Sequence, residues 1–486
     1  MRSILAVVNV LGALLAMFSG YYLLPIATAL IYGENESLRV FGASAGATLA
    51  IGAVMVLLTL RFRTELKPRD GYLLVSLGWL AVTAAAALPL MFGTPYLSFT
   101  DAFFESMSGL STTGSTVITG LDHLPHTVNL WRCSLHWLGG MGIIVLAVAV
   151  LPLLGVGGMQ IYRAETPGPV KDAKLTPRIT ETAKMLWLVY GGITAACILA
   201  LLLAGMEPFE AVCHAFTVMS LGGFSTHDTS IKWFDSAAIE VVLTLFMLVA
   251  ALNFATHFVA LRRGNFSAYK RDPEARWVLI WVGASIALLT AEIMHAGLYP
   301  DFLVTLRHVT FTTVSMATTT GLVTEDFSLW PIFASMWLLF LGCVVPSTGS
   351  TGGGIKLFRA LVMIKQFVRE MFVLVHPSAV APLKIAGQVI PNRVVYSVLA
   401  FIFVYFMTTV ILTFALLSTN MDFLSAMTAT VSSINNTGPG LGLVGPATNY
   451  GSLSDKQTWI CTLAMFLGRI ELFTFLILFS RTFWRK

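Results

Sequence analysis

The chain has 486 residues, of which 56% are hydrophobic and only 11% are charged, and its formal net charge is +5. A soluble protein of this length needs about a quarter of its residues charged to cover its surface. The composition therefore excludes a large water-soluble domain and predicts an integral membrane protein. All five cysteines fall inside apolar segments, where they are interpreted as small core residues rather than a disulfide or zinc framework.

Ten apolar segments are long enough to cross a membrane, which takes about 20 helical residues. They lie at 4–32, 40–60, 71–92, 130–156, 185–205, 236–261, 277–297, 329–374 (interrupted), 394–418 and 457–480. Between the members of each later pair lies a shorter stretch, such as 98–111, which we expect to be a half-length pore helix. The sequence thus predicts an all-α membrane protein with four pseudo-symmetric helix–pore helix–helix units after a leading helix pair. The predicted boundaries are 1–70 for the pair and 71–160, 161–270, 271–390 and 391–486 for the units.

The distribution of lysine and arginine predicts how these helices are oriented, because short basic loops stay on the cytoplasmic side. The N-terminus and one set of alternate loops hold 24 of the 30 basic residues. These loops are 61–70, 157–184, 262–276, 355–393 and 481–486. We therefore expect both termini in the cytoplasm, so that the segments that follow the four pore helices open to the outside.

Four hydroxyl- and glycine-rich tetrapeptides follow the expected pore helices, one in each unit. They are Ser111-Thr112-Thr113-Gly114, Ser220-Leu221-Gly222-Gly223, Thr318-Thr319-Thr320-Gly321 and Asn435-Asn436-Thr437-Gly438. Their last glycines are 109, 98 and 117 residues apart, and a hydroxyl-bearing residue stands six positions before each one. A single tetrapeptide of this kind is typical of an ordinary external turn, whereas four copies at matched positions favour an internal duplication.

Four such turns around one axis suit the passage of a cation. Backbone carbonyls can replace the water shell of the ion, and glycine lets the backbone turn a carbonyl toward the axis without a Cβ clash. The C-terminal end of each pore helix adds about half a negative charge. The expected filter residues are Thr112, Thr113, Gly114, Leu221, Gly222, Gly223, Thr319, Thr320, Gly321, Asn436, Thr437 and Gly438.

The segment 329–374 cannot be one regular helix, because a proline and three consecutive glycines interrupt it. The helical part before the interruption is about 24 Å long at 1.5 Å per residue, so the break starts below the bilayer midplane. One interpretation is a movable loop beneath the filter, and the other is a cytoplasmic connector. The pliable positions of such a loop are Gly349, Gly352, Gly353 and Gly354.

Arg469 is twelve residues from Gln457 along the last apolar segment, which places it about 18 Å into the membrane. A charge at that depth is costly and by default marks a functional residue. Glu471 is two positions away and cannot readily pair with it on one helix. Either a carboxylate or carbonyls of a neighbouring helix hold the guanidinium, or it lies beside the pore and opposes cations. The two interpretations are compatible.

Together these features resemble the Trk/Ktr/HKT superfamily of potassium and sodium transporters over essentially the whole chain, and the leading helix pair is similar to the TrkH-like branch. The resemblance implies filter glycines at the fourth position of each tetrapeptide, a gating loop in the third unit and a pore arginine in the last helix. Serine at the first filter glycine goes with sodium-preferring members, so Gly114 favours potassium. The second position of the tetrapeptide is threonine in the first and third units (Thr112 and Thr319) but Leu221 and Asn436 in the second and fourth. We therefore expect a less symmetric set of ion sites.

The resemblance further implies potassium uptake across the inner membrane of a bacterium by a homodimer. A TrkA-like cytoplasmic partner would bind the regulatory nucleotide, and this chain would carry no cofactor and bind no nucleic acid. The first alternative is a sodium-selective or sodium-coupled transporter of the same superfamily. The second, a membrane-embedded enzyme or scaffold, is disfavoured because the spans offer only Arg469, Glu471 and scattered helix-end carboxylates.

Overall fold

The computed structural model describes residues 2–62, 67–145 and 179–484. This part of the chain is mostly helical, which confirms the predicted all-α class. Its two short strands, Lys384–Ile385 and Gln388–Val389, pair antiparallel in a small hairpin.

The α-helices of the described residues are numbered in chain order. They are α1 (Arg2–Ser19), α2 (Leu23–Tyr32), α3 (Asn35–Thr59), α4 (Pro68–Phe92), α5 (Phe99–Leu110), α6 (His126–Val145), α7 (Ile179–Leu203), α8 (Pro208–Ser220), α9 (Ala237–Ala250), α10 (Phe254–Arg263), α11 (Ser267–Arg271), α12 (Pro273–His295), α13 (Phe302–Ala317), α14 (Ile332–Val344), α15 (Leu357–Val375), α16 (Asn392–Leu417), α17 (Phe423–Asn435), α18 (Asp455–Arg469), α19 (Leu472–Leu476) and α20 (Arg481–Trp484). Short 3₁₀ turns lie at Gly20–Tyr22, Leu60–Phe62, Leu121–His123, Ser230–Phe234, Phe327–Leu329, Gly442–Val444, Tyr450–Ser452 and Ile477–Phe479.

Six of these helical segments are long and apolar enough to cross a membrane, and eight are if each of two bent pairs counts as one span. They account for eight of the ten predicted spans. The ninth, 329–374, is divided between α14 and α15 as expected from its proline and glycines. The tenth, 130–156, begins within α6 and continues outside the described residues.

Two spans that we predicted as continuous, 236–261 and 457–480, are bent, so this part of the prediction is wrong. The chain turns by 97° between α9 and α10 and by 107° between α18 and the helical segment that ends at Phe479. Neither break contains proline. At the first break, the Asn253 side chain accepts a hydrogen bond from the backbone N–H of Ala255 and so caps α10. At the second, Glu471 has φ +60°, which interrupts the helical hydrogen bonds.

The leading helix pair packs closely and joins the first unit through aromatic side chains. An ideal β-carbon on Gly52 would lie 2.6 Å from the carbonyl oxygen of Gly12, so α1 and α3 approach each other at backbone distance. Tyr22 stacks on Trp131 with ring centroids 4.8 Å apart, and its hydroxyl donates to the carbonyl of Ala85 at 2.6 Å. The pair is therefore anchored on α4 and α6.

The four predicted pore helices are present as α5, α8, α13 and α17, with 12 to 16 residues each. Three of them begin at a side-chain cap, Ser98, Asp301 or Asp422, which accepts a backbone N–H of the first turn. The other, α8, begins with Pro208, a residue suited to the first helical position. Each pore helix ends within or directly before its tetrapeptide.

We predict that Gly139→Ala destabilises the protein by about 1–3 kcal/mol, because overpacking of a close contact costs that much. A β-carbon on Gly139 would lie 1.8 Å from the carbonyl oxygen of Leu110, at the end of the first pore helix. Gly142→Ala on the same helix is the control, since its β-carbon would meet no atom within 4 Å. Thermal unfolding of both variants in detergent measures the difference, and equal unfolding temperatures would contradict the contact.

Candidate functional site

The four tetrapeptides have one shared backbone conformation. The second residue of each is left-handed, with φ of 54°, 54°, 64° and 53° at Thr112, Leu221, Thr319 and Asn436. Such values are uncommon outside glycine. The last glycines, Gly114, Gly223, Gly321 and Gly438, have φ of 83°, 88°, 77° and 97°. Four separate segments with the same uncommon dihedrals are structural repeats.

One hydrogen bond closes each of these turns in the same way. The backbone N–H of the residue before each filter glycine donates to the carbonyl six positions before that glycine. The bonds run from Thr113 to Ser108 at 2.9 Å, Gly222 to Thr217 at 2.9 Å, Thr320 to Ser315 at 2.8 Å and Thr437 to Ser432 at 3.0 Å. The recurring hydroxyl residue of the sequence is thus the position that anchors the turn.

The four filter glycines form a closed ring. An ideal β-carbon on Gly114 would lie 2.2 Å from the carbonyl oxygen of Gly222 in the next unit. Continuing around the ring, the corresponding distances are 2.2 Å from Gly223 to Thr320, 2.1 Å from Gly321 to Thr437 and 2.8 Å from Gly438 to Thr113. Each unit thus contacts the next through a glycine, and the fourth returns to the first. A side chain at any of these contacts would have to displace a backbone carbonyl of the next unit, and the positive φ also favours glycine at all four positions.

Side chains make the ring less regular than its backbone. Leu221 is fully buried in an apolar cluster, whereas Asn436 donates to the hydroxyl of Thr113 at 2.9 Å and to the carbonyl of Met465 at 3.0 Å. The Thr319 hydroxyl accepts the backbone N–H of Gly353 at 3.0 Å. At the position where the other two units have threonine, Leu221 therefore places an apolar contact behind the filter and Asn436 places an amide there.

A cavity of about 90 Å³ lies over one end of the ring, and all four filter glycines line it. Loops of the first two units form part of its wall, where His227 hydrogen-bonds Asp122 and the Asp228 carboxylate accepts the backbone N–H of Gly120. Burial raises the pKa of Asp122, but the hydrogen bonds from His227 and from the backbone of Asp228 outweigh it. The pKa of this carboxyl therefore lies below its usual range.

The interrupted segment of the third unit, residues 345–356, lies directly against the ends of the pore helices. Gly353 donates its N–H to the filter residue Thr319, and a β-carbon on Gly353 would lie 1.9 Å from the carbonyl oxygen of Asn435. The Thr351 hydroxyl donates to the carbonyl of Met219 at 3.1 Å. The segment therefore contacts the second, third and fourth units at the ends of their pore helices.

Two charged residues that the sequence analysis did not single out hold this loop. The Glu274 carboxylate is buried and accepts the Thr348 N–H at 2.7 Å and the Ser347 hydroxyl at 3.1 Å. The ammonium group of Lys356 donates to the carbonyl of Gly352. In the sequence Glu274 is a helix-end carboxylate and Lys356 belongs to a basic loop, and no local pattern indicates that either one holds the segment 345–356.

Arg469 is 3% exposed and connects the loop to the first unit. Its guanidinium donates to the carbonyl of Thr351 at 3.0 Å and to the carbonyl of Gly139 at 3.2 Å. Glu471 instead forms an ion pair with Arg359 at 3.2 Å. Of the two predicted kinds of partner, carbonyls are the ones that the structure provides. The loop and Arg469 together contact all four units.

His257 lies buried in the first turn of α10, next to the break between α9 and α10. Its two ring nitrogens hydrogen-bond the Tyr269 hydroxyl at 2.7 Å and the carbonyl of Val249 at 2.9 Å. The second bond crosses the break between α9 and α10, so His257 supports the bend.

Comparison with known proteins places this architecture in a family. The TrkH family, described as cation transport proteins, matches residues 38–486. The Trk system potassium uptake proteins TrkH of Salmonella typhimurium and Halomonas elongata are each 44% identical to the chain, over 99% and 100% of both sequences. The crystal structure of the potassium transporter TrkH from Vibrio parahaemolyticus superposes with a TM-score of 0.91 at 42% identity, covering 100% of this chain and 99% of that one. The chain belongs to the TrkH family of cation transport proteins.

Proposed function

We propose that the chain takes up potassium across the cytoplasmic membrane through the ring of four filter glycines. The observation that carries this proposal is the closed succession of glycine–carbonyl contacts between units. It surrounds one axis with backbone oxygens, the ligands that replace the hydration shell of a monovalent cation. The names of the relatives, which are potassium uptake proteins, support potassium as the ion. The membrane potential supplies about 2.3 kcal/mol per charge per 100 mV, so no chemical step is required.

The intramembrane loop and Arg469 gate this path in our proposal. The loop lies beneath the ring, and its pliable positions are Gly349, Gly352, Gly353 and Gly354. Arg469 holds it through the carbonyl of Thr351. The same guanidinium places a positive charge below the filter, where its field opposes a permeating cation. Opening then requires that the loop move and that Arg469 give up this hydrogen bond.

We further propose a multi-pass arrangement in a bacterial inner membrane with both termini in the cytoplasm. The bias of basic residues toward one set of loops supports this orientation. The proposed units keep the boundaries 71–160, 161–270, 271–390 and 391–486 after the helix pair 1–70. A homodimer with a TrkA-like, nucleotide-binding cytoplasmic partner is consistent with relatives that are named as parts of a Trk system. Neither a cofactor on this chain nor a nucleic acid enters the proposal.

Gly114→Ala should lower the preference for Rb⁺ over Na⁺ by at least about tenfold, which corresponds to about 1.4 kcal/mol. The new β-carbon would lie 2.2 Å from the carbonyl oxygen of Gly222 and must displace it from the ring. Rb⁺ uptake with Na⁺ as competitor, in vesicles that contain the purified protein, measures the preference.

Gly120→Ala is the matched control, because Gly120 also has a positive φ, 74°, but its β-carbon would meet no atom within 4 Å. Equal effects of the two substitutions would contradict a role of the ring in selection. A wild-type protein that carries Na⁺ and Rb⁺ equally would remove the potassium assignment and favour the sodium alternative.

Arg469→Ala should raise Rb⁺ influx several-fold, because it removes both the positive charge below the filter and the hydrogen bond to Thr351. The control is Lys456→Ala, which removes an exposed charge from the first turn of the same helix and should leave influx unchanged. Flux through the reconstituted variants is compared at equal amounts of folded protein. Unchanged or reduced influx in a folded Arg469→Ala protein would refute the gating role.

A further inference from the structure

A second buried arginine lies at the outer end of the filter, and neither conduction nor gating as proposed makes use of it. Arg132 of α6 pairs with Glu105 of the first pore helix, with 2.8 Å between Nε and Oε1 and side-chain exposures of 1% and 0%. A buried ion pair adds little net stability compared with an apolar pair of similar volume. The segments that this pair holds in place are therefore a better guide to its role than its contribution to stability.

The pair holds the chain that leaves the filter in the first unit. Glu105 accepts the Thr116 hydroxyl at 2.9 Å and the backbone N–H of Val117 at 3.0 Å. Arg132 contacts the same hydroxyl at 3.3 Å. Thr116 is only two residues beyond Gly114, so the pair fixes the segment that carries the outer end of the filter.

Arg132 also crosses to the second unit. Its guanidinium donates to the carbonyl of Ser225 at 3.1 Å and lies 4.3 Å from the ring centroid of Phe224. These two residues directly follow Gly223. One turn along α6, His136 stacks on Phe224 with ring centroids 4.1 Å apart. One arginine therefore joins the outer segments of two neighbouring units.

The second unit has a related contact at the same position. His214 stands nine residues before Gly223, as Glu105 stands nine before Gly114. Its Nε2 hydrogen-bonds the Ser225 hydroxyl at 3.0 Å, and Ser225 is two residues beyond its filter glycine, as Thr116 is. The position nine before the glycine thus supports the outer filter segment in both units, through a carboxylate in the first and an imidazole in the second.

We propose that the Glu105–Arg132 pair positions the outer end of the filter in the first two units and thereby contributes to ion selection. Arg132 and all four filter glycines line the cavity of about 90 Å³ over the ring. We call it the outer cavity, because the proposed orientation places it on the outer side of the membrane. Glu105 balances the charge of Arg132, so that a cation can approach the ring without facing an uncompensated guanidinium. These are positioning residues that act through backbone oxygens, and the inference rests on the proposed uptake of potassium.

Three variants in the full-length protein separate charge from geometry. Glu105→Gln leaves the arginine uncompensated and should raise the KM for Rb⁺ about tenfold, as expected for a unit charge near the ion path. Arg132→Lys keeps the charge but loses the planar fork that reaches Ser225 and Thr116, so it should lower the preference for Rb⁺ over Na⁺ about tenfold with less effect on KM. Glu105→Gln combined with Arg132→Met removes both charges and should restore the KM but not the preference.

The ion pair between Arg307 and Glu240 provides the matched control. It has 2.7 Å between its charged atoms, and neither residue lines the outer cavity. Arg307→Lys should therefore leave both KM and ion preference unchanged. If Arg132→Lys and Arg307→Lys behave alike, the effect is not specific to the filter and the proposal fails.

Thr116→Val decides the question if a charge variant does not fold. It removes the hydroxyl that contacts both Glu105 and Arg132 while it leaves both charges in place, and it should lower ion preference several-fold. Folded variants with wild-type KM and wild-type preference would overturn the proposal. Failure of the wild-type protein to take up Rb⁺ in the same vesicles would instead refute the proposed function, so the two failures are distinguishable.

Discussion

Backbone that leaves a helix inside a membrane must find its hydrogen-bond partners within the protein, because lipid offers none. This requirement connects the parts of the structure that lie around the pore axis. The break between α9 and α10 and the loop of the third unit satisfy each other, since Phe254 donates to the carbonyl of Gly349 and Ser347 donates to the carbonyl of Ala251. Arg469 completes the arrangement by taking up the carbonyls of Thr351 and Gly139.

The same requirement explains why backbone symmetry survives differences in side chains. In each unit the turn after the pore helix is closed by a bond between backbone groups, so that threonine, leucine and asparagine can all occupy the second position of the tetrapeptide. The fourth position is the more constrained one, because the carbonyl of the next unit approaches there. Side-chain differences are therefore confined to the surroundings of the filter. The contact from Asn436 to the Thr113 hydroxyl shows that these surroundings differ between units.

Whether a feature could be predicted from sequence depends on whether the residues that determine it are close together or far apart along the chain. The filter and the loop of the third unit are encoded locally, by short hydroxyl–glycine runs and by a proline with adjacent glycines, and both were predicted. The bends at 251–253 and 470–471 were not predicted. The Asn253 cap is local, but the other contacts that hold the two bends join residues that are far apart in the sequence. Phe254 is bound by Gly349, 95 residues further along the chain, and Glu471 pairs with Arg359, 112 residues before it. No periodicity or turn signal within either segment could reveal such contacts.

The two buried arginines near the axis show how the surroundings of a charge determine its effect on a cation. Arg132, at the outer cavity, is paired with the carboxylate of Glu105, and the pair is neutral as a whole. Arg469 is held by the carbonyls of two backbone groups, and among the described residues no carboxylate forms an ion pair with it. Carbonyl dipoles satisfy hydrogen bonds without cancelling the net charge. In the proposed pathway, the barrier to a cation therefore lies below the filter, on the side where the movable loop can be released, and not at the outer mouth where ions arrive.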